Sequence, residues 1–584
     1  MGGSRLPGVS LCSTPRLRTI SPSGWGGSDG PPLAGTGSYV VRGGWGGGAC
    51  LDRGTGGGIE IVENGEPVGG FVDADHAGFD EVWAGSILGN FMESHAKVGD
   101  FQVRLLANLG REWLEGLVGE VGRRQVAGGS TYFVMELPAA GGRDGGRGFV
   151  KVATRRAKHT VARRMKASRA VDEVEACVKA AKVGLAVHEP LCVGEHRVGG
   201  LWERSFVVTR FVDEAEDVAS RFGRTREVSV LLDVAGWLRR LHDAGMTHGD
   251  ARLANFVEVG GAGGAGRAGG ARRAGGAGGV GGVGGGIIGI DLCQMGQCGP
   301  AEDCAVLLGC ALAAGATAEQ VAEVAKVLGL PVTSEQMHIE AERESQRRYG
   351  YKVIGAKGAH DALRRELAAA KPCKVLDAPA GEGVLSEFLR IRGWDVHCAD
   401  IDPGHFKLPH LPLTTIDLNR AIPFADATFD AVITANSLHR LYNPAGAVRE
   451  LARVLRPGGR MYINVNNYAN VEKRLRFLVY GSLDNQVNSS IAQQSTDAPE
   501  ANLRVALHMP MMVSAIERAG LRIEKVRPSA MGLVHWLLLP VALVFFGLGF
   551  LVGPRSRARN ALRYANGWGV LPGGKYLLIV AQKP

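Results

Sequence analysis

The run from Cys373 to Gly383 has the order of groups that a nucleotide-binding loop requires. A short apolar stretch leads to the carboxylate of Asp377, a turn with two glycines follows, and a helical pattern begins at Val384. A turn of this kind lets the backbone approach a ligand closely. The next apolar stretch ends on Asp400, which is placed to accept hydrogen bonds from a ribose diol. These residues predict the first unit of a doubly wound, nucleotide-binding sheet.

Three further segments follow in a fixed order. They are Asp417-Leu418 ahead of Ile422-Pro423-Phe424, the strand-like run Phe429 to Ile433, and the turn Leu455-Arg456-Pro457-Gly458-Gly459. Together with Asp377-x-x-x-Gly381-x-Gly383 and Asp400, they resemble the class I S-adenosylmethionine-dependent methyltransferases, from about Ala359 to the C-terminus. The resemblance implies an α/β Rossmann-like fold with a seven-stranded, mostly parallel sheet.

The same resemblance implies where S-adenosylmethionine would bind. The first motif would hold the methionine end, Asp400 the ribose, and Asp417 with Leu418 the adenine edge. The implied contacts are Asp377, Ala378, Pro379, Ala380, Gly381, Gly383, Asp400, Asp417, Leu418 and Asn436. The loop departs from the family because it reads Ala-Pro-Ala-Gly where three glycines are more usual. The alternative is a Rossmann-like domain for another nucleotide.

A second set of polar residues lies upstream, between about Leu114 and Leu330. Phosphoryl transfer from ATP requires a carboxylate that orients the acceptor hydroxyl, an amide oxygen on one metal ion, and a second carboxylate that bridges the metals. Asp250 and Asn255 have the spacing of the first two, and Asp291 ends a strand-like run as the third would. This pattern predicts a site for phosphoryl transfer.

The separation between Asn255 and Asp291 is long for this chemistry. Residues 260–286 between them are almost wholly Gly, Ala, Val and Arg. Removing these residues leaves two short strand-like runs, Phe256 to Val259 and Ile287 to Ile290, that would form a hairpin. Enlarging a surface loop costs only about 0.6 kcal/mol for each doubling of its length. We therefore expect a flexible loop at the tip of two paired strands.

Two elements upstream must complete this site. Lys151 lies in an alternating, strand-like run and is placed to pair the phosphates of ATP, and its own carboxylate partner would be Glu173 or Glu175 on the following helix. The amphipathic pattern of Val228 to Ala244 predicts a helix that delivers the loop carrying Asp250.

This region resembles the kinase-like fold of the lipopolysaccharide (Kdo) kinases and their aminoglycoside- and choline-kinase relatives, which implies an α+β domain with two lobes. Carried over, Asp250 is the catalytic base, Asn255 and Asp291 hold magnesium, and Lys151 with Glu173 binds ATP, while Arg252 could touch the γ-phosphate. Asp291-Leu292-Cys293 lacks the usual glycine, and no clean Gly-x-Gly-x-x-Gly loop precedes Lys151. The alternative is a catalytically dead kinase.

Length and composition suggest how the chain is divided. Its 584 residues exceed the ~250–300 at which single cores stop growing. We predict a disordered Gly/Ser/Pro-rich extension (1–75), a kinase-like domain (76–330), a linker (331–358) and a methyltransferase domain (359–584), with a transit peptide as the alternative for the extension. A formal charge of +9 is modest, so we expect no nucleic acid, and no protein partner is inferable.

Ten cysteines occur without Cys-x-x-Cys spacing, and four of them fall between Cys293 and Cys310. Free thiols in a reducing cytoplasm are the interpretation we favour, with a zinc site as the alternative.

Residues 532–553 carry no charge and precede Arg555, Arg557 and Arg559. The segment falls within the ~17–25 residues of a membrane span. It lies, however, between the two strands that are adjacent and antiparallel in class I methyltransferases, so a single crossing would separate them. We expect a broken helical hairpin that attaches a cytoplasmic protein peripherally to the inner face of the membrane. A lid over an apolar substrate tail is the alternative.

The acceptors are less evident from the sequence. His439 follows the fourth strand and is our candidate base for the methyl acceptor, with a structural role as the alternative. We predict a bifunctional transferase that uses S-adenosylmethionine, ATP and Mg²⁺ to modify a cell-envelope glycan, glycolipid or other small molecule. The alternative is a methyltransferase for a lipid, for example a quinone-like one, whose kinase-like half only binds or scaffolds.

Overall fold

The computed structural model describes residues 39–42, 60–63, 66–67, 94–124, 130–139, 146–155, 160–213, 215–259, 286–352, 358–483 and 505–584. Within these ranges an N-terminal unit of two lobes is followed by a C-terminal unit built on a mostly parallel sheet.

A sheet of nine antiparallel strands forms the first lobe, in the order β3-β2-β1-β6-β7-β9-β8-β5-β4. Alternation of apolar side chains along β6, β7 and β9 buries Phe133, Val150 and Phe206 in one core. The strands are β1 (Tyr39–Arg42), β2 (Glu60–Glu63), β3 (Glu66–Pro67), β4 (Ser94–Val98), β5 (Phe101–Leu105), β6 (Ser130–Glu136), β7 (Arg147–Thr154), β8 (Pro190–Val198) and β9 (Leu201–Arg210). The helices of this lobe are α1 (Arg111–Arg123), α2 (Val161–Met165) and α3 (Arg169–Lys182).

The strands β1, β2 and β3 lie inside the extension predicted to be disordered. Their sequences, Tyr-Val-Val-Arg in β1 and Glu-Ile-Val-Glu in β2, are rich in the β-branched and aromatic residues that favour strands. Tyr39 pairs with Val134 of β6, which adds the three strands to the edge of the sheet. The composition of the extension as a whole concealed these short runs.

Helices dominate the second lobe. Its small sheet contains β10 (Ala215–Asp217), β11 (Phe256–Val259) and β12 (Gly286–Gly289), and its helices are α4 (Val218–Thr225), α5 (Val228–Asp243), α6 (Pro300–Ala313), α7 (Ala318–Leu328) and α8 (Ser334–Tyr349). Antiparallel pairing of Phe256 with Gly289 and of Val259 with Gly286 confirms the predicted hairpin. The Gly-rich residues 260–285 between the two strands lie outside the described residues.

The C-terminal sheet has seven strands in the order β15-β14-β13-β16-β17-β19-β18, and β19 runs antiparallel to both β17 and β18. This confirms the predicted fold class. The strands are β13 (Lys374–Asp377), β14 (Asp395–Asp400), β15 (Leu413–Thr415), β16 (Phe429–Ala435), β17 (Leu455–Asn466), β18 (Arg522–Pro528) and β19 (Tyr576–Gln582). The helices before β18 are α9 (Asp361–Ala368), α10 (Val384–Ile391), α11 (Pro444–Val454), α12 (Val471–Tyr480) and α13 (Met509–Arg518). The parallel strands place their carboxyl ends at one edge.

Four helices lie between β18 and β19, and the first two belong to the apolar segment. They are α14 (Leu533–Leu537), α15 (Leu539–Leu551), α16 (Pro554–Arg559) and α17 (Leu562–Ala565). The sequence predicts the break of this hairpin at Pro540 or at Gly547 to Gly549, whereas the helices separate at Leu538, because Pro540 lies in the first turn of α15. No helix among the described residues has both the length and the apolar character to cross a bilayer.

Helix α8, within the predicted linker, joins the two units. It packs along α6 of the N-terminal unit and contacts α10 of the C-terminal unit. Glu342 on α8 accepts a hydrogen bond from Arg392 at 2.7 Å, and Ser345 on α8 donates one to Glu387 of α10. Residues 353–357, within the glycine-containing end of the linker, lie outside the described residues.

The side chain of Glu387 is fully buried in this joint. It accepts hydrogen bonds from Arg390 at 2.7 and 2.8 Å and from His410 at 2.9 Å, besides the one from Ser345. Burial alone would raise the pKa of this carboxyl group, but the hydrogen bonds from Arg390 and His410 outweigh it and lower the pKa to about 2. Glu387 is therefore a buried anion balanced by neighbours from both units.

We predict that Glu387→Gln lowers the free energy of unfolding by roughly 3 kcal/mol at neutral pH, because a pKa lowered in the folded state stabilises the ionised protein. This stabilisation is present above the unfolded pKa and is lost as the pH falls through the folded value. The difference between variant and wild type, measured by urea unfolding, should narrow below about pH 4.5. Glu517→Gln on the exposed part of α13 is the control. Equal stability of Glu387→Gln and wild type would contradict the prediction.

Candidate active sites

Asp377 ends β13 at the carboxyl edge of the C-terminal sheet. It is 1% exposed, and its Oδ2 atom accepts a hydrogen bond from Ser386 on α10 at 2.7 Å. No donor among the described residues reaches its Oδ1 atom. Burial is the main reason that the pKa of Asp377 rises to about 7, since one hydroxyl donor compensates it only partly. A cationic group near Oδ1 would relieve this cost.

The loop from Ala378 to Gly383 continues from this carboxylate. Its backbone is fixed at both sides, because Ala378 donates its N–H to Ile433 and Ala380 donates its N–H to Ala399. Gly381 has a φ of +57°, and the space that a Cβ would enter is open to beyond 4 Å. A ligand can thus approach the backbone closely at Gly381. Gly383, in contrast, is needed for packing, because its Cβ would lie 2.5 Å from Leu408.

Asp400 ends β14 beside this loop, as predicted. Its carboxylate accepts the backbone N–H of Gly381 at 2.8 Å and that of Asp402 at 3.0 Å. A carboxylate has about four acceptor positions, so two remain for a ribose diol. The side chain thereby also fixes the loop, a role that the sequence did not suggest.

The remaining predicted residues of this unit border the same edge. Asp417 accepts the backbone N–H of Asn419 at 2.9 Å, and Leu418 is buried in the core. Asn436 follows β16 with a φ of +52°, and its buried Oδ1 atom meets no donor among the described residues. His439 is 6% exposed in a short turn, where its carbonyl accepts the N–H of Val505. Its role as a base stays a prediction.

In the N-terminal unit, Lys151 on β7 lies between two carboxylates. Its ammonium donates to Glu173 of α3 at 2.8 Å and to Asp291 after β12 at 2.7 Å. The geometry therefore selects Glu173 over Glu175. Burial opposes charge on Lys151, yet these two carboxylates raise its pKa well above the usual range, and Lys151 in turn holds the pKa of the buried Asp291 at about 2.

The second group of catalytic candidates lies on the loop after α5. The guanidinium of Arg252 donates to both carboxylate oxygens of Asp250 at 2.8 Å, and Asn255 donates to the carbonyl of Asp250 at 2.8 Å. The Oδ1 atom of Asn255 is buried and meets no donor among the described residues. Ile290 donates its N–H to the carbonyl of Asn255 at 2.9 Å, which brings Asn255 beside Asp291.

A carboxylate that sequence reasoning missed holds this loop in place. Asp303 on α6 is fully buried. Its carboxylate accepts hydrogen bonds from the backbone N–H groups of His248 at 2.5 Å and Gly249 at 2.9 Å, and it lies 3.2 Å from Nε2 of His242. Gly249 has no space for a side chain, because a Cβ would lie 1.9 Å from the carbonyl oxygen of Gln294. The available signal was the pair Glu302 and Asp303 at the start of an otherwise apolar helix.

The cysteines in the described ranges form no disulfide, and they are Cys177, Cys192, Cys293, Cys298, Cys304, Cys310, Cys373 and Cys398. Glu173, Asp291 and Cys293 come close enough together to suggest a metal site. The ammonium of Lys151, however, already occupies the position between the two carboxylates. This arrangement does not fit a zinc cage built on Cys293.

Two known families match the chain. The family described as methyltransferase domain matches residues 376–463, and the lipopolysaccharide kinase (Kdo/WaaP) family matches residues 131–264. The chain joins a Kdo/WaaP-family domain to a methyltransferase domain. The matched ranges include Asp377, Asp400 and Asn436 in the methyltransferase domain, and Lys151 and Asp250 in the kinase-family domain.

Individual relatives match the methyltransferase domain. A demethylmenaquinone methyltransferase of Corynebacterium urealyticum is 40% identical over 104 residues, covering 17% of this chain and 44% of that protein. An uncharacterized methyltransferase of Mycobacterium tuberculosis is 44% identical over 92 residues, covering 15% of this chain and 37% of its own length. The chain thus spans less than half of either relative.

Solved methyltransferase structures are also similar. A putative methyltransferase from Bacillus halodurans is 17% identical and covers 39% of this chain and 100% of its own, with a TM-score of 0.26. A SAM-dependent methyltransferase from Archaeoglobus fulgidus is 12% identical and covers 41% and 97%, with the same TM-score of 0.26. These scores are low, so the domain assignment depends on the two family matches and on the observed order of strands.

We predict opposite effects of Asp377→Asn on stability and on binding. A raised pKa of about 7 means that ionisation of Asp377 costs stability as the pH rises from its unfolded pKa towards 7. At pH 8 and without ligand, the free energy of unfolding of the variant should therefore exceed that of wild type by ~1–3 kcal/mol. Its unfolding temperature should be higher accordingly. It should bind S-adenosylhomocysteine at least tenfold more weakly.

Thermal unfolding and calorimetric titration at pH 6 and pH 8 measure both effects. Wild type should bind S-adenosylhomocysteine more tightly at pH 8, because ionised Asp377 attracts the cationic amino group, and Asp377→Asn should show no such change. Asp395→Asn, at the exposed start of β14, is the control. Unchanged affinity of Asp377→Asn would refute the assignment.

Proposed function

We propose that the chain is a bifunctional transferase. Its C-terminal unit would transfer a methyl group from S-adenosylmethionine, and its N-terminal unit would transfer a phosphoryl group from ATP, to acceptors of the cell-envelope glycan or glycolipid class. The observation that carries the proposal is that each unit gathers its predicted polar residues at one edge and leaves a buried oxygen there for a ligand. These oxygens are Oδ1 of Asp377 and Oδ1 of Asn255.

The residues at the methyltransferase edge fit S-adenosylmethionine, which supplies an electrophilic methyl group when it is bound. Asp377 offers a buried negative charge to the cationic amino group of the methionine end, and Gly381 leaves room for the chain beside it. Asp400 retains acceptor positions for the ribose hydroxyls, and Asn436 offers a buried amide oxygen. Methyl transfer is an in-line displacement, so these residues act by orienting the reactants.

The residues of the kinase-family domain fit ATP with magnesium. Asp291 and Oδ1 of Asn255 are the oxygen donors that Mg²⁺ prefers, and Lys151 is held by Glu173 to meet the phosphates. Asp250 would orient the acceptor hydroxyl. Arg252, which pairs with Asp250 in this structure, would turn to the γ-phosphate and so release that carboxylate.

A quinone-like lipid is the second candidate for the methyl acceptor, with a kinase-like half that only binds or scaffolds. The similarity to demethylmenaquinone methyltransferases favours this acceptor. The complete set of Lys151, Glu173 and Asp291, together with the network that positions Asp250, argues for an active kinase half.

We expect the two sites to lose their ligands independently. Calorimetric titration of wild type should detect both S-adenosylmethionine and Mg-ATP, because each unit has its own set of buried donors and acceptors. Lys151→Met should abolish binding of Mg-ATP only, and Asp377→Ala should abolish binding of S-adenosylmethionine only. Lys182→Met, on the exposed end of α3, is the matched control. If wild type binds only the methyl donor, the kinase half is not catalytic and the second candidate is supported.

A separate variant tests the catalytic base. Asp250→Asn should lower ATP turnover by about 10²–10⁴-fold, as loss of a positioned acid or base does, while the affinity for Mg-ATP stays within threefold of wild type. Release of ADP, measured with lipid and sugar acceptors, is the readout. Turnover at the wild-type rate would exclude Asp250 as the base.

A further inference from the structure

Exposed apolar side chains are concentrated on three helices of the C-terminal unit. We define these side chains as the apolar surface, which consists of Phe477, Leu478, Val479 and Tyr480 on α12, Leu533, Val534, Trp536 and Leu537 on α14, and Leu543, Val544, Leu548, Phe550 and Leu551 on α15. All of these side chains are at least half exposed, and Leu551 reaches 81%. Single exposed apolar residues are ordinary, whereas a contiguous set of this size marks an interaction site.

The apolar surface is one structure and not two separate patches. Val471 and Leu475 of α12 pack in a common cluster with Ala542, Phe545 and Phe546 of α15. The helices are thereby held side by side, with their outer faces in the solvent. The contribution of α12 was not predicted, because α12 lies far in sequence from the apolar segment.

Positive charge borders the apolar surface. Arg555, Arg557 and Arg559 on α16 are exposed, and the guanidinium of Arg557 lies 5.5 Å from the ring centre of Phe550. The sequence contains no Asp or Glu after Glu524. The helices of the apolar surface also carry one carboxylate, Glu472 on α12, which lies 3.2 Å from His535 on α14. An apolar face bordered mainly by cations is complementary to a layer of anionic lipid headgroups over acyl chains.

The length of α15 indicates how such a contact would be made. Its 13 residues span about 20 Å at 1.5 Å per residue, which is less than the ~30 Å hydrocarbon core of a bilayer. Exposed Leu and Phe side chains along this helix would enter the boundary between headgroups and acyl chains while the helix lies along it.

The apolar surface is anchored to the edge of the sheet where the methyltransferase residues lie. Asn467, directly after β17, donates to the carbonyls of Val570 and Gly574 at 3.0 and 3.1 Å. Asn470 caps the first turn of α12, where it accepts the N–H of Lys473 at 2.9 Å. Asn470 therefore connects the carboxyl end of β17 to α12, whereas Asn467 fixes the loop that leads into β19.

We propose that the apolar surface docks on an anionic lipid bilayer and holds the carboxyl edge of the C-terminal sheet against it. The methyl acceptor is then an amphipathic molecule whose apolar part resides in that bilayer. The second statement depends on the proposed methyltransferase function, whereas the docking itself does not.

Flotation with lipid vesicles tests the docking. The full chain should float with vesicles of phosphatidylglycerol and phosphatidylcholine and bind pure phosphatidylcholine at least tenfold more weakly. The double variant Leu543→Asp/Leu551→Asp should lose more than tenfold in affinity. Val198→Asp, which also replaces an exposed apolar residue (57% exposed) but in the first lobe, should bind as wild type does.

Replacing the arginines measures the electrostatic contribution to vesicle binding separately from the apolar contribution. A juxtamembrane arginine contributes about fivefold to binding of anionic lipid, so Arg555→Gln/Arg557→Gln/Arg559→Gln should weaken binding by up to about 100-fold. Binding to phosphatidylcholine should not change. Brominated lipids should quench the fluorescence of Trp536, and the quenching should fall in Trp536→Phe.

Titration with S-adenosylhomocysteine distinguishes failure of docking from failure of the methyltransferase function. Wild type and every docking variant should bind this ligand equally. If wild type does not float with anionic vesicles, or if Leu543→Asp/Leu551→Asp floats as wild type does, the docking proposal is wrong. If wild type does not bind vesicles and the double variant nevertheless loses methyl transfer, the surface is instead a lid for an apolar substrate tail.

Discussion

Burial of carboxylates is the constraint on which both units depend. A charge taken out of water must be compensated by cations or hydrogen-bond donors. Asp303 meets this requirement with the backbone N–H groups of His248 and Gly249, and Asp291 does so with the ammonium of Lys151. Glu387 is compensated by Arg390, His410 and Ser345. Asp377 differs because a single hydroxyl compensates it, and for this reason we propose it as a ligand site.

Much of this arrangement could be predicted from sequence, because order and spacing determine which strand ends a polar residue occupies. Asp377 and Asp400 lie at adjacent strand ends, and removal of the Gly-rich residues correctly indicated the hairpin that brings Asn255 to Asp291. Asp303 could not be assigned in this way. Its role depends on backbone N–H groups from a distant loop, and no residue type or spacing encodes such a contact.

The predicted linker and the apolar segment show a second limit of sequence reasoning. Helix α8 has mostly polar residues, so its sequence does not show that it packs on both units, and that fact emerges only from pairs such as Arg392 with Glu342. The apolar segment was recognisable by itself, but its surface is completed by α12, which the fold brings next to α15. In both cases the essential information is which helix lies beside which.

Helix α8 also limits where the chain can be divided. A fragment that begins at Ala359 would lack Ser345 and Glu342. It would also lack Tyr351, which packs on Val384 and Leu408 next to the loop from Ala378 to Gly383. An N-terminal fragment that ends at residue 331 would in turn expose Gly309. Helix α8 packs closely on this glycine, since a Cβ there would lie only 2.6 Å from Glu340. The two units therefore share a structural element, and truncations placed by sequence similarity alone would cut through a common core.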